Sequence, residues 1–180
     1  VFPGGNLGNT SAFGKALFEA YELGFIDRMP RFAVIQAEGA SPFYKAFKNN
    51  FTELKKEKAE TIATAIKIGA PVNYFKAVRA IKWTNGIVES VTDEEILEAK
   101  AIVDGAGIGA EPASCATVAG IKKLMNSGEI KPKETVVGLL TGNILKDSQC
   151  IVDYHFNRTT SLANPPHDIE ASIDDMKKFL

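Results

Sequence analysis

The sequence predicts an α/β domain: a mostly parallel central sheet with helices on both faces. Three features carry that expectation. Apolar runs of strand length alternate with helical patterns along the chain. The runs at 32–37 (Phe-Ala-Val-Ile-Gln-Ala) and 135–140 (Thr-Val-Val-Gly-Leu-Leu) are almost unbroken in apolar character, as strands buried on both faces are. A glycine-rich turn near the start joins a short apolar segment to a helical pattern, the usual strand-to-helix link of such sheets.

That turn is Gly4-Gly5-Asn6-Leu7-Gly8-Asn9, after Val1-Phe2-Pro3. Its glycines permit positive φ and keep side chains away, so backbone N–H groups can close on a ligand. The helix behind it aims its unpaired N–H groups and the positive end of its dipole at the same place. The arrangement suits an anion such as phosphate, and Asn6 and Asn9 add neutral amide donors. It is not a Walker loop, because no lysine precedes the hydroxyl in Gly8-Asn9-Thr10. Nor does it have the spacing of the dinucleotide fingerprint; Glu38, just after the run at 32–37, is the one feature a nucleotide site would use.

Thr10 or Ser11 can cap the first helix, which is expected to run to Leu23 with Phe13, Ala16, Leu17, Ala20 and Tyr21 on one face. Gly24 stops it. After the strand at 32–37 come a loop at 38–42, a helical turn at 43–47 and a lysine-rich surface excursion at 49–60. The stretch 61–69 (Thr-Ile-Ala-Thr-Ala-Ile-Lys-Ile-Gly) is small and apolar; it either packs in the core or passes close to a ligand. A helix follows at 74–83 with Phe75, Ala77 and Val78 available to pack, then the turn Asn85-Gly86 and a strand at 87–91. Thr92 and Glu95 form a capping box, and Val91 with Ile96 a hydrophobic staple, for a helix reaching Val103 with Ile96, Leu97, Ala99 and Ile102 inward. Pro112 opens a helix kept thin by Ala113, Cys115, Ala116, Ala119 and Gly120, so that it can lie against a sheet. Thr141-Gly142-Asn143 sits at the carboxyl end of the run at 135–140. Ile169, Ile173, Met176 and Leu180 mark a last amphipathic helix.

Composition narrows the function classes. The chain has 180 residues, 45% hydrophobic and 24% charged, enough for one domain with a core. Its formal net charge of −1, without a basic stripe, argues against nucleic acid as the main partner. No apolar run reaches the ~20 residues of a membrane helix. Cys115 and Cys150 lack metal or redox spacing, which suits a reducing, cytoplasmic setting, and two histidines are too few for a histidine-based metal site. Val1 is not a methionine and stands just before the glycine turn. The expectation is a chain cut within a β-α unit, with part of the protein missing on the N-terminal side.

Six motifs in one order carry a family resemblance. They are Gly-Asn-Leu-Gly-Asn at 5–9, Thr-Ile-Ala-Thr-Ala-Ile-Lys-Ile-Gly at 61–69, Asn-Gly-Ile-Val-Glu at 85–89, Thr-Asp-Glu-Glu-Ile at 92–96, Glu-Pro-Ala-Ser at 111–114 and Leu-Thr-Gly-Asn-Ile-Leu-Lys-Asp at 140–147. Together, over residues 1–150, they resemble the C-terminal part of the threonine synthases, pyridoxal-phosphate enzymes of the tryptophan-synthase-β fold type (fold type II). The resemblance implies a cofactor, pyridoxal 5'-phosphate, and a substrate, O-phospho-L-homoserine, which reacts with water to give L-threonine and phosphate. It implies a cofactor-domain portion at 1–150 and a C-terminal extension at 151–180. Gly4, Gly5, Asn6, Leu7, Gly8 and Asn9 are implied to hold the cofactor phosphate, with Asn6 or Asn9 also touching the substrate phosphate. Ala65 and Ile66 are implied to line the ring, Thr141 to meet the ring nitrogen, and Glu111 to reach the cofactor edge. Glu111 is equally accounted for as a carboxylate favoured at a helix N-terminus. A neutral Thr141 leaves the ring nitrogen without a full positive charge.

Two departures accompany the resemblance. Gly142-Asn143-Ile144 stands where the family often has Gly-His-Gly, and no lysine here has the context of the family's Schiff-base lysine, expected outside this chain. Lys146 belongs to a different motif and is expected to be structural. Alternatives are a serine or threonine dehydratase, whose phosphate loop carries a longer glycine run than Gly4-Gly5, and a non-catalytic phosphate-ligand domain. The isolated chain is expected to be inactive, to need the missing part and to self-associate.

Overall fold

The computed structural model describes residues 1–157 and 160–179. Three parallel strands, β1 (Phe2–Pro3), β2 (Ala33–Ala37) and β3 (Ile87–Val91), form one sheet in the order β1-β2-β3. Phe2 pairs with Val34, and Ala33 through Ala37 pair in step with Ile87 through Val91. Helices α1 (Gly8–Glu22), α2 (Pro42–Lys48), α3 (Tyr74–Trp83), α4 (Asp93–Gly105) and α5 (Pro112–Asn126) connect and cover the strands; α6 (Gln149–Asn157) and α7 (Ile173–Met176) follow.

All five residues of β2 are buried, and its alternation divides the core in two. Ala33, Ile35 and Ala37 face a cluster built with Ile96, Ala99 and Val103 of α4 and the small residues of α5. Phe32 and Val34 face Phe43 of α2 and Ala77, Ala80 and Ile81 of α3, with Phe13 and Leu17 of α1 at the margin. The sheet is therefore covered on both faces, as the continuous apolar strand pattern requires. The polar member of β2, Gln36, is fully buried. Its Nε2 donates to the Gly4 carbonyl at 2.7 Å, and its Oε1 accepts from the N–H groups of Phe43 and Tyr44 at 2.9 and 3.0 Å. It thus satisfies the open end of α2 and the chain beyond β1 together.

The thin helix behaves as its composition requires. A Cβ on Gly120 would stand 2.4 Å from Ile35 Cδ1, so α5 lies directly on β2. The Thr92–Glu95 capping box is present in both directions, at 3.1 and 2.7 Å.

Several expectations need correction. The run at 135–140 forms no strand of the sheet. It lies beside Val1, whose nitrogen donates to the Val137 carbonyl (2.8 Å) and whose carbonyl accepts from Leu139 N–H (2.9 Å). Among the described residues Val1 is the only one whose backbone it pairs with, so no ladder forms. Helix α1 begins at Gly8, with Leu7 rather than Thr10 or Ser11 at its N-cap. Ala16 and Tyr21 are exposed, and α1 meets α3 through Gly14, where a Cβ would lie 2.3 Å from that of Ala80. Phe75 and Ile102 point outward, because α3 buries Tyr74, Ala77, Ala80 and Ile81 and α4 buries Lys100 and Val103. The surface excursion at 49–60 is anchored by Phe51 against Phe43 and Phe47. The last amphipathic helix is one turn long, and Ile169, Ile173 and Met176 are exposed; Leu180 lies outside the described residues. Among the described residues no helix is long and apolar enough to cross a membrane.

Candidate functional site

The carboxyl end of β1 opens into a cleft of about 310 Å³. Its first wall is the glycine turn. Gly5, Asn6, Leu7, Gly8 and Asn9 line it, together with Pro3. Leu7 is the residue that shapes this wall. Its backbone is left-handed (φ 61°, ψ 20°), and its side chain is buried in the core beside α3. A left-handed residue followed directly by helical ones turns successive N–H groups towards one side, the geometry of an anion nest. Among the described residues the N–H groups of Gly5 through Thr10 donate to no other group; the first helical bond runs from Ser11 N–H to the Leu7 carbonyl. The fifteen-residue α1 adds the positive end of its dipole. Thr10 Oγ1, buried at the head of this helix, has no partner among the described residues either.

The turn is fixed from behind. Asn6 accepts from Val72 N–H through Oδ1 (2.9 Å) and from the Asn73 amide through its carbonyl (3.1 Å). Asn9 is exposed and its side chain is unengaged among the described residues, so of the two asparagines it is the freer to meet a ligand. Gly4 does not line the cleft. Its N–H continues the ladder to the Ile35 carbonyl (2.7 Å), and a Cβ there would strike Val34 Cγ1 at 2.4 Å. The loop at 38–42 is also absent from the lining; Ser41 N–H is held by Glu57 instead.

The second wall is a 3-10 turn, Thr64–Ile66, which contributes Ala65 and Ile66. It approaches so closely that a Cβ on Gly5 would lie 2.9 Å from the Ala65 carbonyl oxygen, so the glycine is required there. Asp93 at the start of α4 accepts from Ile62 N–H (3.1 Å), and Asp147 accepts from Thr64 N–H (3.1 Å) and hydroxyl (2.7 Å).

The third wall joins the start of α5 to the segment after 140. Glu111 is the N-cap of α5, 3% exposed; it lines the cleft with Ala113. Its Oε2 lies 3.3 Å from Lys146 Nζ, close enough for charge attraction without a well-formed hydrogen bond. Gly142 packs on this carboxylate, where a Cβ would come within 2.0 Å of Oε1. Thr141 completes the wall. Its N–H and that of Gly142 donate to Ser114 Oγ at 2.9 and 2.8 Å, and its hydroxyl lies 3.1 Å from the same oxygen. The fully buried Ser114 is the residue that sequence reasoning did not single out. A serine in the first turn of a helix was legible as such; its partners 27 and 28 positions on were not.

The cleft is thus neutral in donors, with free N–H groups at one end and a hydroxyl among its other walls. Among the described residues no lysine lines it, and its one charged residue is Glu111. Such a site suits a phosphorylated, flat, neutral ring, and the cleft's glycines leave room for one. That chemistry agrees with the family comparison: the model for pyridoxal-phosphate dependent enzymes matches residues 1–142, and the chain belongs to that family. The chain is 44% identical over its whole length to the threonine synthase of Methanosarcina acetivorans, of which it covers 43%. The threonine synthase of Methanocaldococcus jannaschii is 41% identical and likewise 43% covered. Threonine synthase 2, chloroplastic, of Arabidopsis thaliana is 39% identical and 37% covered. The chain therefore spans less than half the length of these relatives. Among solved structures, the T.th. threonine deaminase superposes with a TM-score of 0.59 (16% identity, 79% of this chain, 48% of that one). The processed form of threonine deaminase isoform 2 from Solanum lycopersicum gives 0.64 (15% identity, 83% and 41%). At that identity the likeness establishes the fold alone.

Proposed function

We propose that the protein to which this chain belongs is a threonine synthase, converting O-phospho-L-homoserine and water to L-threonine and phosphate. The observation that carries the reading is the convergence of the turn, the 3-10 segment and Thr141 on one cleft, in a chain about 40% identical to threonine synthases throughout. When bound, pyridoxal phosphate supplies the electron sink that stabilises negative charge at the substrate's α-carbon. This chain's part is to hold and orient. The free N–H groups of Gly5 through Asn9 take the cofactor phosphate. Ala65 and Ile66 line the ring, the Thr141 hydroxyl meets the ring nitrogen, and Glu111 stands at the ring's edge. Asn9, with Asn6 as second choice, touches the substrate phosphate. Among the described residues the lining has no lysine, so in this reading the amine that would hold the cofactor comes from the rest of the protein. In the same reading residues 1–150 belong to the cofactor domain and 151–180 are an extension, α6 straddling that boundary. The protein works in the cytoplasm.

The test uses the full-length protein with pyridoxal phosphate. Phosphate release from O-phospho-L-homoserine, with a change in the cofactor's spectrum, is the expected result. A spectral response to serine or threonine with none to phosphohomoserine would transfer the protein to the dehydratases.

A further inference from the structure

We propose that Ser114 is a positioning residue that fixes the direction of the Thr141 hydroxyl, so that the site presents a donor and holds the cofactor's ring nitrogen unprotonated. The inference rests on the cofactor reading above. It begins with the valence of one oxygen. A serine hydroxyl has one hydrogen and two lone pairs. Ser114 Oγ accepts from the N–H groups of both Thr141 and Gly142, which uses both lone pairs. These two donors are backbone N–H groups and cannot reverse. The remaining Ser114 hydrogen has Thr141 Oγ1 at 3.1 Å as its acceptor. For Thr141 to donate to Ser114 instead, the serine oxygen would have to accept three hydrogens.

The chain of hydrogen bonds therefore runs one way, from two N–H groups through Ser114 to Thr141. Its last hydrogen, on Thr141 Oγ1, is left for the cleft that Thr141 lines. Each bond polarises the next, so a terminal hydroxyl that already accepts is a stronger donor than a free one. It is matched to a ring nitrogen with its lone pair available, and it gives a protonated ring no negative charge to pair with. Ser114 can hold this arrangement because it is fully buried in the first turn of α5, away from water that would compete. Free of Ser114, Thr141 could rotate and accept as readily as donate.

The test uses the full-length holoenzyme loaded with pyridoxal phosphate carrying 15N in the ring. The pH dependence of the ring-nitrogen NMR signal reports its protonation, and equilibrium dialysis reports cofactor affinity. In Ser114→Ala the ring nitrogen is expected to protonate at higher pH than in the wild type, with cofactor binding about tenfold weaker. Thr141→Val should do the same. The double variant should match Thr141→Val alone, because Ser114 acts through Thr141. Should Ser114→Ala fail to fold, Ser114→Thr carries the test: it keeps the hydroxyl and is expected to retain the wild-type ring signal. Additive effects, or an unmoved signal in folded Ser114→Ala beside a shifted one in Thr141→Val, overturn the proposal. So does a shifted signal in folded Ser114→Thr. A wild-type protein that binds no pyridoxal phosphate, or a Thr141→Val protein indistinguishable from it, would instead defeat the cofactor reading itself.

Discussion

Leu7 carries two opposing terms at one position. A left-handed backbone costs a non-glycine residue roughly 1–2 kcal/mol, and the side chain is 2% exposed. Burying a leucine contributes about 1.5–3 kcal/mol, so the anchor outweighs the strain and holds the turn in its nest conformation. The two terms can be separated. Leu7→Ala loses the anchor and keeps the strain, and should destabilise the full-length protein by about 2–5 kcal/mol. Leu7→Gly loses the anchor and the strain together, and should be the more stable of the two variants in urea unfolding. The reverse order would mean that the backbone is not held left-handed. The cysteines give a second residue-level expectation. Burial pushes the Cys115 thiol up to about 12 and that of Cys150 to about 11. Below those values each is a neutral thiol, and only the thiolate is a nucleophile. Iodoacetamide at about pH 8, below both values, should leave both unmodified in the native protein and label both after unfolding, as read by mass spectrometry.

Among the elements, α5 holds the most together. It touches all three strands and the 3-10 segment, and its N-cap and first turn carry Glu111 and Ser114. A methyl at Gly120 has no space against Ile35, so Gly120→Ala should cost about 1–3 kcal/mol by overpacking. It should also weaken cofactor binding, because the first turn of α5 would shift with the helix. A loss of stability with unchanged affinity would show that the site does not depend on that seating. Elements of this kind were legible in the sequence, since a run of small residues has one physical use beside a sheet, and a capping box is local in both chemistry and sequence. What could not be read depends on partners distant along the chain. The run at 135–140 has strand composition, but strand formation needs a paired backbone, and among the described residues its backbone pairs only with that of Val1. Phe75 and Ile102 have core composition, yet the face each helix buries is decided by the elements opposite. The cleft was legible through its turn, and through Thr141 by resemblance. Ser114 was not, because one hydroxyl serving two backbone groups 27 and 28 residues on leaves no mark on its own neighbours.

At the scale of the molecule, the cleft has three walls and, among the described residues, no lysine in its lining, and segments that shape it carry exposed apolar side chains. Val72, whose N–H holds Asn6 in place, is 78% exposed, and Phe75 one turn along is 84% exposed. Leu145, on the segment that carries Thr141, is 83% exposed. Large apolar side chains left exposed on segments that shape a site are ones a covering body would bury. In the proposed enzyme that body also brings the amine and excludes water from the reacting atoms. The isolated 180-residue chain is therefore expected to release no phosphate from O-phospho-L-homoserine and to show no absorbance band near the visible edge with pyridoxal phosphate. It should retain weak cofactor affinity, because the turn's free N–H groups and the Ser114–Thr141 pair belong to it entirely. Its apolar rim should make it self-associate, seen as a mass above the monomer in light scattering that falls when the remainder of the protein is added. Turnover by the purified chain, shown free of longer protein by mass spectrometry, would place a working amine within these residues. A strictly monomeric chain at high concentration would mean that the rim beside the cleft needs no cover.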